Sequence, residues 1–365
     1  MRVIVIGSGI AGASTAYQLA RRDAEVTVVD VAQPGVATSA GAGIICPWSS
    51  RRSDEEVRTA SLAAAFYPTL LAQLAEDGAP ETSYEKVGAL VVSAEQGELD
   101  QAYRRVAARA AEAPQAGQVT RLDSAQAREL FPVLAPEFAG VHVSGGGRVD
   151  GRRLRQAVLA GASKRGVRMI EGHAELSGRG VVVAGATHEA DKIVVAAGAW
   201  SPRLLAPLGV DLPVAPQRGQ ISHFELPDVD TGAWPVVLPP SSHYLLAFPG
   251  SRVVAGATRE SGSGFDYRVT AGGQHEVLEH ALGVAPGLAA ATLRETRVGF
   301  RPASPDGLPL LGPLDGYPDV LVATGFGPTG LTVAPFAGAV VAALALGEKP
   351  PMDATPLRPG RFSAR

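Results

Sequence analysis

The first thirty residues of the chain leave few folds open to it. Met1-Arg-Val-Ile-Val-Ile is an apolar, β-branched strand, Gly7-Ser-Gly9-Ile-Ala-Gly12 follows at once, and an alanine-rich helix comes next. Glu25-Val-Thr-Val-Val-Asp30 is then a second strand that ends on a carboxylate. Glycines spaced G-x-G-x-x-G between a strand and a helix form a dinucleotide cradle. Gly7 permits the tight turn, and Gly9 clears room for backbone N–H groups to approach a pyrophosphate. Gly12 lets the helix pack closely on the strand, while Ile10 and Ala11 begin a helix whose unpaired N–H donors face the phosphates. Asp30, about 20 residues past the glycines, is placed to accept from a ribose hydroxyl.

Composition narrows what surrounds this unit. A chain of 365 residues predicts two domains, or one domain with a large insertion. With 46% apolar and 19% charged residues it can bury a sizeable core. A net charge of −3 without a long basic run argues against nucleic acid as a partner. Cys46 is the only cysteine, which excludes an intrachain disulfide and any multi-cysteine metal or iron–sulfur site. The histidines lack ligand spacing, so no metal is expected. The chain starts directly on a core strand, leaving no room for a secretory signal. The nearest approach to a membrane span, Leu331 to Leu346, is rich in alanine and glycine and reads as a buried helix. The expectation is a cytoplasmic protein, with peripheral membrane contact and homo-oligomer assembly left open.

Periodicity places the remaining elements. Residues 54–79 repeat apolar side chains at helical spacing, 84–93 alternates as a strand, and 95–113 and 123–130 read as helices. A helix starts at Gly151, strands are expected over 167–171 and 181–183, and Ala190–Val195 is a buried strand closing on Gly198. Short alternating strands then run from 214 to 298, interrupted by a helix near 274–282. Leu321-Val-Ala-Thr-Gly325 is a further buried strand ending in glycine, followed by the 331–346 helix. Strand–glycine–helix blocks at both ends predict an α/β fold with an antiparallel sheet: a discontinuous Rossmann-like domain over 1–83, 146–213 and 296–365. A substrate-binding domain on a mostly antiparallel sheet is expected over 84–145 and 214–295.

Five motifs in this order resemble the glycine oxidase and D-amino-acid dehydrogenase group of FAD-dependent oxidoreductases, over almost the whole chain. They are the Gly7–Gly12 turn, Thr38-Ser-Ala-Gly-Ala-Gly-Ile44, Val194-Val-Ala-Ala-Gly198-Ala-Trp200-Ser-Pro, Val298-Gly-Phe-Arg301-Pro-Ala-Ser-Pro-Asp306-Gly, and Ala323-Thr-Gly325-Phe-Gly-Pro-Thr-Gly330-Leu-Thr332. The second glycine loop near the C-terminus decides for FAD over a nicotinamide.

The resemblance implies that Gly7–Gly12 and Asp30 hold the adenosine half. It implies that Thr38, Ser39, Ala42, Gly43 and Ile44 line the phosphates and isoalloxazine. Ala174 would lie at the adenine, Ala197, Gly198 and Trp200 against the cofactor, and Gly325, Phe326, Gly327, Pro328, Thr329, Gly330, Leu331 and Thr332 at the pyrimidine end of the flavin. That last loop opens a helix, whose N–H groups favour negative charge at N1/O2 of the reduced ring. Arg301 matches the arginine that pairs with the substrate carboxylate, its planar fork suiting a bidentate contact. Tyr244 matches a tyrosine facing the substrate, and Trp48 and Arg51 stand as further pocket candidates just past the flavin loop.

Departures from the pattern sharpen the expectation. Glycine oxidases carry a second arginine where Pro328 stands, which argues against glycine itself. D-amino-acid dehydrogenases often have histidine at the position of Phe326. Related sarcosine oxidases tether their flavin through a C-terminal cysteine that is absent here, so FAD is expected to be noncovalent. The implied reaction is oxidation of a D-amino acid or small secondary amine by hydride transfer from Cα to flavin N5. The imino acid then hydrolyses, and oxygen, a quinone or another electron carrier reoxidises the flavin. A 2-hydroxy acid or specialised amine as substrate, or a non-catalytic subunit of a larger dehydrogenase, are the other readings.

Overall fold

The computed structural model describes residues 1–178 and 180–362. One layer is a six-stranded sheet ordered Leu310–Leu314, Tyr317–Thr324, Lys192–Val195, Arg2–Ile6, Glu25–Asp30, Arg168–Glu171. Its neighbours run parallel except for the outer hairpin of Leu310–Leu314 with Tyr317–Thr324. A parallel sheet must be covered on both faces, and the first strand shows how. Val3 and Val5 join the core shared with the helices Ile10–Ala20, Gly151–Lys164 and Gly330–Ala345. Ile4 and Ile6 point the other way, into a core closed by Val181 and Val183 of a three-stranded antiparallel sheet, Ala174–Ser177, Gly180–Val183 and Ala186–Glu189.

The chain leaves Arg2–Ile6 to one side for Glu25–Asp30 and Arg168–Glu171, then returns on the other side for Lys192–Val195. A crevice opens where the order reverses, at the carboxyl ends of the strands, and this is where such sheets bind ligands. Gly7 and Ala197–Gly198 both stand there.

The helix Gly330–Ala345 is buried on almost every side. Its small residues allow this: a Cβ on Gly338 would come within 2.7 Å of Ser14 in the first helix. Pro335 has no N–H to give the Leu331 carbonyl four residues back, and the Tyr67 hydroxyl donates to that oxygen instead. Among the described residues one stretch, Gly327–Ala345, is long and apolar enough to cross a membrane, and 78% of its apolar window lies inside the fold.

The second layer is an eight-stranded sheet ordered Thr292–Ala303, Ala215–Glu225, Arg252–Gly256, Tyr244–Phe248, Val236–Leu238, Ala89–Ser93, Ala139–Val143, Val119–Leu122. Val236–Leu238 and Ala89–Ser93 pair in parallel and the other neighbours are antiparallel. Leu245, Ala247, Val253 and Ala255 pack with Val277 and Ala281 of the helix Ala271–Val284. The alternate residues Ile221, Leu246, Phe248 and Val254 join the core of the nucleotide half instead. One face of this sheet therefore closes the crevice.

Several expectations shift. The strand expected over 84–93 forms only at Ala89–Ser93. The strands Ala174–Ser177, Ala186–Glu189 and Leu310–Leu314 were not foreseen; the first two are short and half exposed, and the third is buried but carries Gly312 and Pro313. Thr292–Ala303 pairs with Ala215–Glu225 as far as Ala215↔Ala303, so the second sheet runs past the boundary expected at 296.

Candidate active site

A cavity of about 940 Å³ lies between the two sheets. Its nucleotide end is made mainly of backbone. Gly7 (φ +100°) turns the first strand into the first helix, and a Cβ there would lie 2.5 Å from the Ala196 carbonyl oxygen. A Cβ on Gly12 would collide with the Gly7 carbonyl itself. Gly12 thus shapes the cradle from behind, while Gly7, Gly9, Ile10 and Ala11 line it. Thr38 closes the turn from outside, its Oγ1 accepting the Ile10 N–H at 3.0 Å. Asp30 and Ala174 line the same end. The Ser8 hydroxyl donates to the Asp30 carboxylate.

The middle is walled by Thr38, Ser39, Ala42, Gly43 and Ile44 on one side and by Ala197, Gly198 and Trp200 on the other. Trp200 is fixed by stacking on Phe265 at 4.8 Å. Phe326, Gly327, Pro328, Gly330, Leu331 and Thr332 complete the wall. The N–H groups of the first turn of the helix Gly330–Ala345 have no acceptor within that helix and stand at the cavity. Thr332 Oγ1 donates to the Ile44 carbonyl at 2.9 Å, tying the C-terminal loop to the N-terminal one. Gly325 and Thr329 do not reach the cavity. Gly325 (φ +77°) makes the turn, and the Thr329 hydroxyl holds the Phe326 carbonyl at 2.9 Å.

The far end is set by side chains of the second sheet. Arg301 on Thr292–Ala303 lies across Gly219 of the neighbouring strand, where a Cβ would come within 2.7 Å of the guanidinium carbon. Its Nη1 donates to the Thr258 carbonyl at 2.9 Å. Desolvation lowers the Arg301 pKa, the Tyr244 hydroxyl beside it works the other way, and an arginine so shifted stays charged. Burial raises the Tyr244 phenol, which Arg301 opposes, so Tyr244 remains a neutral O–H donor. Neither Arg301 nor Tyr244 has a carboxylate partner among the described residues.

Two expected pocket residues lie elsewhere. Trp48 is 2% exposed and absent from the lining, because Pro47–Ser49 turns into the packing between the helices Asp54–Glu76 and Gln96–Glu112. Its carbonyl accepts from Arg109 at 3.3 Å. Arg51 leaves the cavity to bind the Pro240 carbonyl at 2.5 Å. Sequence reading missed Arg155, whose Nε donates to the Ser8 carbonyl at 2.5 Å and whose guanidinium stands 3.8 Å from Asp30. It also missed Arg259, which lines the far end. A charge just past the strand Arg252–Gly256 was the available signal. Cys46 is buried away from the cavity with its thiol raised to about 11 by desolvation, a small core residue.

A dinucleotide fits this donor set: side-chain-free backbone at one end, a second helix N-terminus near the other, and a carboxylate at the ribose position. A family model described as FAD dependent oxidoreductase matches residues 2–344. The chain belongs to the FAD dependent oxidoreductase family. It is 47% identical over 98% of both chains to an uncharacterized oxidoreductase, YurR, of Bacillus subtilis (strain 168). It is 30% identical to the glycine oxidase of Pseudomonas putida, again over 98% of both. The crystal structure of iminodiacetate oxidase from Chelativorans sp. BNC1 superimposes with a TM-score of 0.95 at 46% identity, covering 98% of this chain and 99% of that one. The chain is an enzyme that uses FAD to oxidise CH–NH groups of amino acids or amines.

Proposed function

We propose that the enzyme oxidises small amino acids and secondary amines at the carbon that carries a carboxylate. The observation behind this reading is Arg301: a cation at the far end of the cavity, pinned by the Thr258 carbonyl and without an acid partner among the described residues. An uncompensated charge is costly to desolvate, and a substrate carboxylate in a bidentate contact offsets that cost. Tyr244, neutral and adjacent, donates a second hydrogen bond to the same carboxylate. Together they orient the Cα–H bond, and orientation supplies much of the rate in such transfers. Bound FAD would supply the redox chemistry, as acceptor of a hydride from the Cα so oriented. The likeness to relatives named for glycine and iminodiacetate supports an amine one carbon from a carboxylate.

No protein base is needed if the amine binds neutral, because its lone pair drives loss of the hydride. Among the described residues the one histidine lining the cavity is His173, beside Ala174 at the adenosine end. Oxidation of a 2-hydroxy acid, which needs a base at the hydroxyl, finds no imidazole at the far end. Anaerobic mixing of the holoenzyme with glycine, sarcosine, D-alanine, D-proline and other N-alkyl amino acids is the test. Bleaching of the flavin by at least one of them is expected. Bleaching by none, with reduction by a 2-hydroxy acid instead, overturns the reading.

A further inference from the structure

Four arginines line the cavity among the described residues, and three are accounted for. Arg155 is held by Ser8 beside Asp30. Arg203 lies 4.3 Å over the Phe265 ring. Arg301 awaits the substrate carboxylate. Arg259 remains: its side chain has neither an ion-pair partner nor a hydrogen bond among the described residues, and it faces open cavity. The acids that line the cavity, Asp30 and Glu175, stand at the opposite end. Arg52, whose charge reaches both Arg259 and Arg301, is already neutralised by Glu56 at 2.6 Å.

Three arginines outside the cavity are neutralised by acids. Arg218 has Glu260 and Asp266, Arg252 has Asp150, and Arg148 has Glu85. The pair at the far end differs. Desolvation lowers Arg259 from the ordinary arginine value, and the charges of Arg301 and Arg52 lower it further. Two like charges held together without a counter-charge lose stability, and a ligand that brings one restores it. A single carboxylate on a neutral amine cancels one of the two cations and leaves the other. Arg259 and Arg301 line the same cavity, and the charge of each reaches the Tyr244 hydroxyl.

We propose that Arg259 forms a second carboxylate subsite beside Arg301, so that the enzyme selects amines bearing two carboxylates. The proposal rests on the reading that an amine carboxylate is oxidised here. Both guanidinium forks then hold one carboxylate each, and the amine nitrogen lies between them. Arg259 acts by choosing the substrate and takes no proton.

Calorimetric titration of the holoenzyme with glutarate and with butyrate tests the subsite using ligands that have no nitrogen to oxidise. Glutarate is expected to bind at least about tenfold more tightly, the scale of one charge-assisted contact. Arg259→Met is expected to bring glutarate down to the level of butyrate, and Arg259→Lys to recover part of the difference. Equal binding of the two acids, or an unchanged ratio in Arg259→Met, overturns the subsite. Flavin reduction separates this from the reading beneath it. Monocarboxylic and dicarboxylic amines reacting with the same KM, in the wild type and in Arg259→Met, contradict the subsite and leave amine oxidation standing. Glutarate held through Arg259, with no amine reducing the flavin, leaves the subsite standing and contradicts amine oxidation.

Discussion

At the nucleotide end of the cavity the groups in contact are backbone atoms supplied by one βαβ unit, and the side chains that matter there are chiefly the ones glycine lacks. At the far end they are long side chains, Arg301, Tyr244 and Arg259, brought from separate strands and loops of one sheet. Recognition of a pyrophosphate by a turn and a helix N-terminus is written in contiguous residues at fixed spacing. Recognition of a substrate is written in which strands become neighbours. A single chain thus presents a generic tool at one end and a particular task at the other, and the two ends should fail in different ways.

The largest effect is expected from the backbone end. Gly12→Ala drives a Cβ into the Gly7 carbonyl, with only backbone available to yield. A loss of about 3 kcal/mol, at the upper range for overpacking, is expected, read as a large fall in Tm and a colourless preparation. A yellow protein with unchanged Tm would show that the turn is looser than the structure draws it. At the other end, Arg301→Leu should leave the protein yellow and folded. Its kcat/KM for any carboxylate substrate should fall roughly 100- to 1000-fold, the cost of losing a desolvated charge pair. Arg301→Lys should recover little, because an ammonium on Gly219 cannot reproduce the fork.

A third prediction concerns what holds the nucleotide end together. Asp77, after the helix Asp54–Glu76, accepts from Arg165 at 2.7 Å, from the Tyr17 hydroxyl at 2.6 Å and from Arg21 at 3.1 Å. Arg165 foremost pulls its carboxyl down from 3.8 to about 2. A depressed pKa stabilises the fold at pH above the unfolded value and loses that contribution as pH falls through the folded one. Asp77→Asn is therefore expected to cost about 2 kcal/mol near neutral pH, with the two unfolding curves converging between pH 4 and pH 2. A difference that stays constant through that window would assign the loss to packing. The smallest effect belongs to Asp30→Ala: FAD affinity weaker by roughly tenfold, one charged hydrogen bond, and kcat unchanged at saturating FAD. Flavin fluorescence on titration measures the first and steady-state rates the second.

The same contrast explains what was legible in the sequence. Gly7, Gly12 and Asp30 were readable because their roles follow from spacing. The helix Gly330–Ala345 and its glycine loop were readable for the same reason. Arg301 and Tyr244 came through resemblance, since nothing local distinguishes either from a packed or solvated residue; the register that lays Arg301 across Gly219 is visible only in the sheet. Trp48 and Arg51 misled because nearness in sequence to a flavin-loop motif is no measure of direction: one 3-10 turn at Pro47–Ser49 sends both away from the cavity. Arg259 was missed because its meaning is an absence, a cation without an acid, and that appears only when all its neighbours are in place.

The central claim is that Arg301 holds the carboxylate of an amine whose adjacent carbon is oxidised. The most direct measurement is anaerobic stopped-flow reduction of the enzyme-bound flavin by the best amine substrate and by its carboxamide, in wild type and in Arg301→Leu. Rapid reduction by the acid, at least about 100-fold slower reduction by the amide, and loss of that preference in Arg301→Leu are expected. Equal rates for acid and amide in the wild type would contradict the account.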